Sequence, residues 1–312
     1  MQTSPTLSVI IPLYNKEREI EGTLRSVLAQ KHLPDEIIVV DDGSTDGSAQ
    51  IVERLAAESA LIRLIRQQNA GECAARNCAI AAARGEIIAL LDADDEWEPD
   101  FLGEILSLYR DFPDCGLYCT GFQVISHEGS FPAKAPTKRG IVENFFRDSA
   151  HCYIAIPSAS AIPKRVFEQV GGFPEGMKMA GDLYMWIKIG RKFPVAFSPK
   201  PLCRYSKVAS NRSAAIYTPE QTPYSFETLY DPSAPEEERE FVARAALGKA
   251  LTLSAKGGTE EAARAIGHFA FTKTYRRTWR KVRLLNALPV GWRAPLLNAY
   301  NWLAWKIARK GL

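Results

Sequence analysis

Three carboxylates, Asp92, Asp94 and Asp95, crowd into four positions directly after an apolar run, Ile87 to Leu91. Like charges this close repel by on the order of 1 kcal/mol or more at protein-like dielectric. A divalent cation takes oxygen ligands and would remove that cost, so the cluster is a candidate cation site. The plainer reading is a solvated turn ahead of a helix starting near Pro99. Two more polar clusters close apolar runs, Tyr14-Asn15 and Asp41-Asp42. Each alone is ordinary loop chemistry.

The elements that must position these residues follow from the apolar pattern. Ile87–Leu91 is continuous and of strand length, as expected for a parallel strand covered on both faces. Leu7–Leu13, Glu36–Val40 and Leu61–Ile65 read the same way. Between them, Ile20, Leu24, Val27 and Leu28 fall on one helical face, and Ile51, Val52 and Leu55 line a second helix. The loop from Asp41 to Gly47 offers Ser and Asp to cap that second helix. Asn69-Ala70-Gly71 opens an Ala-rich helix holding Arg76 and Asn77. Strand and helix alternate, so the class is α/β, a doubly wound sheet with right-handed crossovers. In such a sheet the three polar clusters share the carboxyl edge of the strands, where ligands bind.

The second half is less regular. Gly116–Ile125 reads as a strand, and so does Ile154–Ile162, interrupted at Pro157 and Ser158. Gly171 to Glu175 is a turn, Asp182 precedes the apolar LYMWIKIG, and Phe193–Tyr205 is extended. Residues 214–238, rich in Pro, Thr, Ser and Glu, form an expected linker. Residues 239–312 read as helices broken at Gly257-Gly258 and Leu288-Pro289.

Composition is that of a globular chain: 312 residues, 46% hydrophobic and 24% charged. The six cysteines include no CxxC pair, which favours free thiols in a reducing compartment. The first residues lack the basic and apolar regions of a signal peptide, and no run of 18 apolar residues occurs. The expectation is therefore a cytoplasmic protein. No GxGxxG follows the first strand and no P-loop is present, which excludes those nucleotide-binding designs. Aspartate-dependent phosphatases also carry DxD after a buried strand, but they need Thr or Val where Glu96 stands.

Four ordered blocks closely resemble the family 2 glycosyltransferases of the GT-A fold. They are SVIIPLYN at 8–15, EIIVVDDGSTDGS at 36–48, NAGECAARNCAIAAARGEIIALLDADD at 69–95 and VGGFPEGMKMAGDLYMW at 170–186. The resemblance covers about the first 210 residues, and with it a GT-A-like catalytic domain over 1–213. It implies an inverting, metal-dependent transfer of one sugar from a nucleotide sugar, expected to be a UDP-sugar, to a glycan or lipid-linked glycan acceptor. Pro12, Tyr14, Asn15, Asp42, Gly43, Arg76, Asp92, Ala93 and Asp94 match the nucleotide-sugar site, with Asp42 on the nucleobase and Asp94 on Mn2+ or Mg2+. Asp182 matches the catalytic base. The base suits the chemistry, because a carboxylate taking the acceptor proton contributes roughly 10²–10⁴ in rate. Helix capping is the plainer role for Asp182. A non-catalytic nucleotide-sugar-binding scaffold is the alternative function, since the family's usual Glu before Asp182 is Gly181 here. The QxxRW block of processive synthases is also missing, and single addition is therefore expected.

The charge is unevenly spread. Residues 262–312 hold 11 of the 39 Lys and Arg and no Asp or Glu, leaving 28 basic against all 36 acidic groups before them. An acidic body with a basic tail predicts an anionic partner for the tail. Leu296, Tyr300, Leu303 and Ile307 share one helical face, expected to pack on the protein. Trp302, Trp305, Lys306 and Arg309 lie across from them, and with Trp279 they suggest a peripheral site on the anionic cytoplasmic face of a membrane, with no nucleic acid.

Overall fold

The computed structural model describes residues 5–210 and 222–309, with side chains described through Asn301. It holds two compact units, meeting at Thr222 and Pro223. The first begins with β1 (Leu7–Leu13), α1 (Ile20–Leu28), β2 (Glu36–Asp41), α2 (Ser48–Glu58), β3 (Ile62–Arg66), α3 (Glu72–Ala82) and β4 (Ile87–Leu90). It continues through β5 (Glu96–Trp97), α4 (Phe101–Asp111), β6 (Leu117–Ser126), β7 (Gly129–Pro132), β8 (Gly140–Ile141) and α5 (Phe145–Asp148). β9 (Ser160–Pro163), α6 (Lys164–Val170), α7 (Gly181–Gly190) and β10 (Val195–Ser206) complete it.

All ten strands join one mixed sheet in the order β3-β2-β1-β4-β9-β6-β10-β5, with β7 beside β6 and β8 beside β10. The first four strands are parallel, as the alternating pattern requires. β9 then runs antiparallel to both β4 and β6. Leu7, Val9, Ile11 and Leu13 of β1 join α1, α2 and α4 side chains in one core. The opposite face carries α3, whose buried Ala75 and Ala79 let it lie close over β1 and β2. Both faces being covered explains why β1, β2 and β4 show no polar alternation.

The expected strand over 154–162 is confined to Ser160–Pro163. Pro157–Ala159 forms a 3₁₀ turn instead, with Pro157 at its first position, where a missing N–H is harmless. β5, β7, β8, α5 and α6 are too short for a periodic signal, and the sequence pattern missed them. The six cysteines are free thiols.

The second unit is helical: α8 (Glu236–Ala255), α9 (Thr259–His268), α10 (Arg276–Asn286) and α11 (Val290–Arg309). Its core includes Phe226, Leu229, Phe241, Val242, Leu247, Phe269, Trp279, Val282 and Leu285. The stretch expected as a linker, 214–238, divides: 214–221 lies outside the described residues, while 226–229 and 236–238 are helical. Two tail expectations need correction. Trp279 is buried, donating from Nε1 to the Ile266 carbonyl at 2.8 Å, so its ring is spent on the unit's own core. Leu296 and Tyr300, expected to pack inward, are instead 44% and 48% exposed. The side chains of Trp302, Leu303, Trp305, Lys306, Ile307 and Arg309 lie outside the described residues. No described helix is long and apolar enough to cross a membrane.

Candidate active site

The acidic loop after β4 is held open by a residue the sequence offered only as a strand interruption. Ser158, wholly buried in the 3₁₀ turn, accepts the Asp92 amide on Oγ at 3.1 Å and donates from Oγ to Asp95 Oδ2 at 2.5 Å. Its carbonyl accepts Trp97 Nε1 at 2.6 Å. The other oxygen of Asp95 accepts the Ser206 amide at 2.7 Å, fastening the loop to β10. Asp95 is 1% exposed, and burial, then Asp92 and Asp94, push its carboxyl well above the usual range. Of the three acids, Asp95 is thus an internal brace. Its two neighbours are left to face the crevice.

Asp94 accepts Lys16 Nζ at 2.8 Å, in a pair whose side chains are only 11% and 16% exposed. Lys16 also donates to the Ser210 carbonyl, and its amide is fixed by Ser48 Oγ at 2.7 Å. Asp92 accepts Arg76 Nη2 at 2.6 Å. The same guanidinium nitrogen meets Glu72, one helical turn earlier on α3, and the group stacks over Phe173 at 5.2 Å. Arg76 is 2% exposed; burial alone would favour losing its proton, but Glu72 and Asp92 reverse that and hold it charged. At Glu72 the pull of Arg76 is outweighed by lost hydration and by Asp92, Asp182 and Asp94, which push the carboxyl up.

Asp182 stands in the first turn of α7, not at its cap. The N-cap position is Ala180, in the left-handed region at φ 62°, and no side chain caps the helix. Burial raises the Asp182 carboxyl above its usual range, Arg76 opposes the rise, and Asp92 adds to it. Gly181 is required by packing: a Cβ there would sit 2.5 Å from Cys73 Sγ.

On the other side, β1 lies between β4 and β2 in register, Ile10 opposite Leu90 and Leu13 opposite Asp41. Asn15, at φ 51°, accepts the Thr45 amide at 2.7 Å, and its own amide donates to Ser44 Oγ. Asp42 is almost fully buried. Its Oδ1 accepts Gln67 Nε2 and the Ala70 amide, and its Oδ2 accepts the Gly71 amide, at 2.7 to 2.8 Å. The carboxylate therefore shapes the start of α3. Gly43, at φ 77°, passes so close to the Asn69 amide that a Cβ would come within 3.0 Å. Pro12 closes β1 and Tyr14 is half-buried beyond it, while Ala93 is buried, its carbonyl accepting Thr23 Oγ1 at 3.1 Å. Asp92, Asp94, Arg76 and Asp182 thus come together at one sheet edge, with Tyr14, Asn15, Asp42 and Gly43 along it. Lys16, Glu72 and Ser158 were not found from sequence. Their signal was slight: a lone lysine after the first cluster, a carboxylate one turn before Arg76, and a serine after a proline.

For a divalent cation, Asp92 and Asp94 supply hard oxygen donors of the kind Mg2+ and Mn2+ take, with no thiol or imidazole among them. Such ions are commonly bound by one or two carboxylates plus substrate phosphates. The donor set fits. Among the described residues, no cluster of three or more His, Cys, Asp or Glu side chains forms a metal-binding group, so phosphate oxygens would have to complete it.

Comparison with known proteins agrees with this architecture. The family model for glycosyl transferase family 2 matches residues 8–171. TuaG of Bacillus subtilis, a glycosyltransferase provisionally assigned to teichuronic acid biosynthesis, is 37% identical over 127 residues, 40% of this chain and 50% of that protein. The chain spans a third to a half of the length of the first curated relatives it matches. Among solved structures, S. aureus TarS 1-349 in complex with UDP-GlcNAc superposes with a TM-score of 0.60 at 22% identity, covering 89% of this chain and 79% of that one. The mannosyltransferase PcManGT from Pyrobaculum calidifontis, in complex with GDP-Man and Mn2+, gives 0.57 at 22% identity, covering 93% and 88%. At such identities these likenesses speak for the fold, which is that of the GT-A glycosyltransferases. The family match spans more than half of the chain, from β1 into the loop after α6, and it takes in the whole acidic loop. The chain belongs to glycosyl transferase family 2.

Proposed function

We propose that this enzyme transfers a single sugar, with inversion and with help from Mn2+ or Mg2+, from a UDP-sugar to a hydroxyl of a lipid-linked or polysaccharide acceptor. The observation that carries the reading is Asp92 on the buried Arg76 at the carboxyl edge of β4, with Asp94 held beside it by Lys16 and Asp182 electrostatically coupled to the same arginine. The nucleobase end of the donor lies along Pro12, Tyr14, Asn15, Asp42 and Gly43. A carboxylate oxygen can accept two hydrogen bonds, and Asp42 Oδ2 accepts one from the protein, so one position remains for a base N–H. Asp92 and Asp94 would hold the cation. When bound, that ion neutralises charge on the departing nucleoside diphosphate.

Asp182 takes the acceptor proton. Its raised pKa makes the carboxylate a stronger base than an exposed aspartate, and Arg76 opposes the rise by favouring the ionised form. Arg76 also limits repulsion within the cluster, since it touches both Asp92 and Glu72. Lys16 holds Asp94 in place in the absence of the cation and offers a positive group near the diphosphate. The relatives support a cell-envelope polysaccharide as acceptor, given the assignment of TuaG, and UDP-GlcNAc bound to TarS supports a UDP-linked donor. The basic helical unit brings the enzyme to an anionic membrane on its cytoplasmic face.

The test separates donor handling from proton removal. Turnover and donor affinity are measured for D94N and D182N across Mn2+ concentrations with a panel of UDP-sugars. D94N should weaken donor binding most at limiting Mn2+. D182N should lose roughly 10²–10⁴ in turnover with donor affinity unchanged. Equal loss of donor binding and rate in D182N would move Asp182 to the donor side or to folding.

A further inference from the structure

Six large apolar side chains of the helical unit lie open in one run of sequence: Leu284, Leu288, Val290, Trp292, Leu296 and Tyr300, from 37% to 70% exposed. Their spacing places them on two matching faces. Leu284 follows Lys281 at i+3 on α10 and Leu288 lies in the turn after it, whereas Trp292, Leu296 and Tyr300 repeat every fourth residue along α11. The two faces adjoin, because Lys281 Nζ sits 4.2 Å from the centre of the Tyr300 ring. The turn between the helices is tied by Arg293, itself 4% exposed, which donates to the carbonyls of Asn286 and Leu288 at 2.8 Å. The hairpin therefore presents exposed apolar side chains on both arms and at its turn.

Along the hairpin's own sequence the charge has a single sign. Lys273, Arg277, Arg280 and Arg283 are exposed, and no acid occurs after Glu261. A partner that accepts both apolar insertion and dense positive charge is an anionic lipid surface. Resting on the membrane reading above, we propose that the α10–α11 hairpin is the element that enters the lipid, through Leu284, Leu288, Trp292 and Leu296. Trp279 takes no part. Its ring is buried, with Arg276 and Arg283 lying over it at 4.2 and 5.4 Å.

The test uses the full chain with sedimented vesicles of phosphatidylcholine alone or mixed with phosphatidylglycerol, at low and physiological salt. Wild type should bind the anionic vesicles and keep part of that binding at high salt. L284S/W292S should bind at least about tenfold more weakly, as expected when apolar insertion is lost. R277A/R280A should lose about fivefold per arginine at low salt and less at high salt. F131S/I141S, which removes equally exposed side chains of the first unit, should bind as wild type. All four proteins should show the same helicity. If wild type binds no anionic vesicles, or prefers RNA at physiological salt, the membrane reading falls and the hairpin proposal with it. If wild type binds but L284S/W292S binds equally well, the membrane reading stands and the hairpin is the wrong element. A hairpin that instead drives self-association, abolished by L284S/W292S while vesicle binding persists, also overturns the proposal.

Discussion

Asp95 makes the sharpest claim of the structure, because the sequence groups it with Asp92 and Asp94 while the fold removes it from their work. Asp95→Ala leaves the Ser206 amide and the Ser158 hydroxyl without their acceptors in a site that water does not reach. Each buried group stranded in this way costs about 1–3 kcal/mol, so the loss of stability should be roughly 2–6 kcal/mol. Asp95→Asn keeps an acceptor for the Ser206 amide and removes a charge that burial and two neighbouring acids oppose. It should stay within about 1 kcal/mol of wild type near neutral pH, the cost of re-forming one hydrogen bond. The pH dependence gives a second handle. The folded-state pKa of Asp95 is raised, so the protonated form is the one the fold favours. Wild type is therefore most stable, with respect to this group, below the ordinary aspartate range, and it loses stability as pH rises through the raised value. Asp95→Asn lacks that loss, and its stability relative to wild type should improve as pH increases. Urea unfolding from pH 4 to 8 measures both effects. An Asp95→Asn variant as unstable as Asp95→Ala, or a wild type whose stability relative to Asp95→Asn rises with pH, would refute the reasoning.

Three further outcomes are expected. Arg76→Met should destabilise the first unit by about 1–3 kcal/mol in urea unfolding, since it removes the cation that Glu72 and Asp92 share and leaves their partly exposed carboxylates to repel. Gly181→Ala should cost about 1–3 kcal/mol through its clash with Cys73 Sγ, and Cys73→Ala in the same chain should recover part of it; a double-mutant cycle with no coupling would show that the contact is relieved elsewhere. The acidic limb of the rate–pH profile should lie above the ordinary aspartate range because burial raises Asp182, and it should disappear from the residual activity of Asp182→Asn.

The local alphabet determined a great deal. Continuous apolar runs with helical stretches between them imply parallel strands covered on both faces, and β1 to β4 follow that rule within a residue or two. Polar clusters at the ends of those runs imply a shared edge, because parallel strands joined by crossovers all point one way. What the tertiary structure decided is which member of each cluster faces the crevice. Asp92, Asp94 and Asp95 are chemically alike in the chain; only the turn at Pro157–Ala159, more than sixty residues later, draws Asp95 inward to Ser158 and leaves the other two outside. The same holds in the tail. A helical wheel fixes which residues share a face, but not which face the neighbouring helices cover, and α8 and α9 cover the one with Trp279. Spacing along the chain is a property of a few consecutive residues, whereas burial depends on partners that spacing does not name.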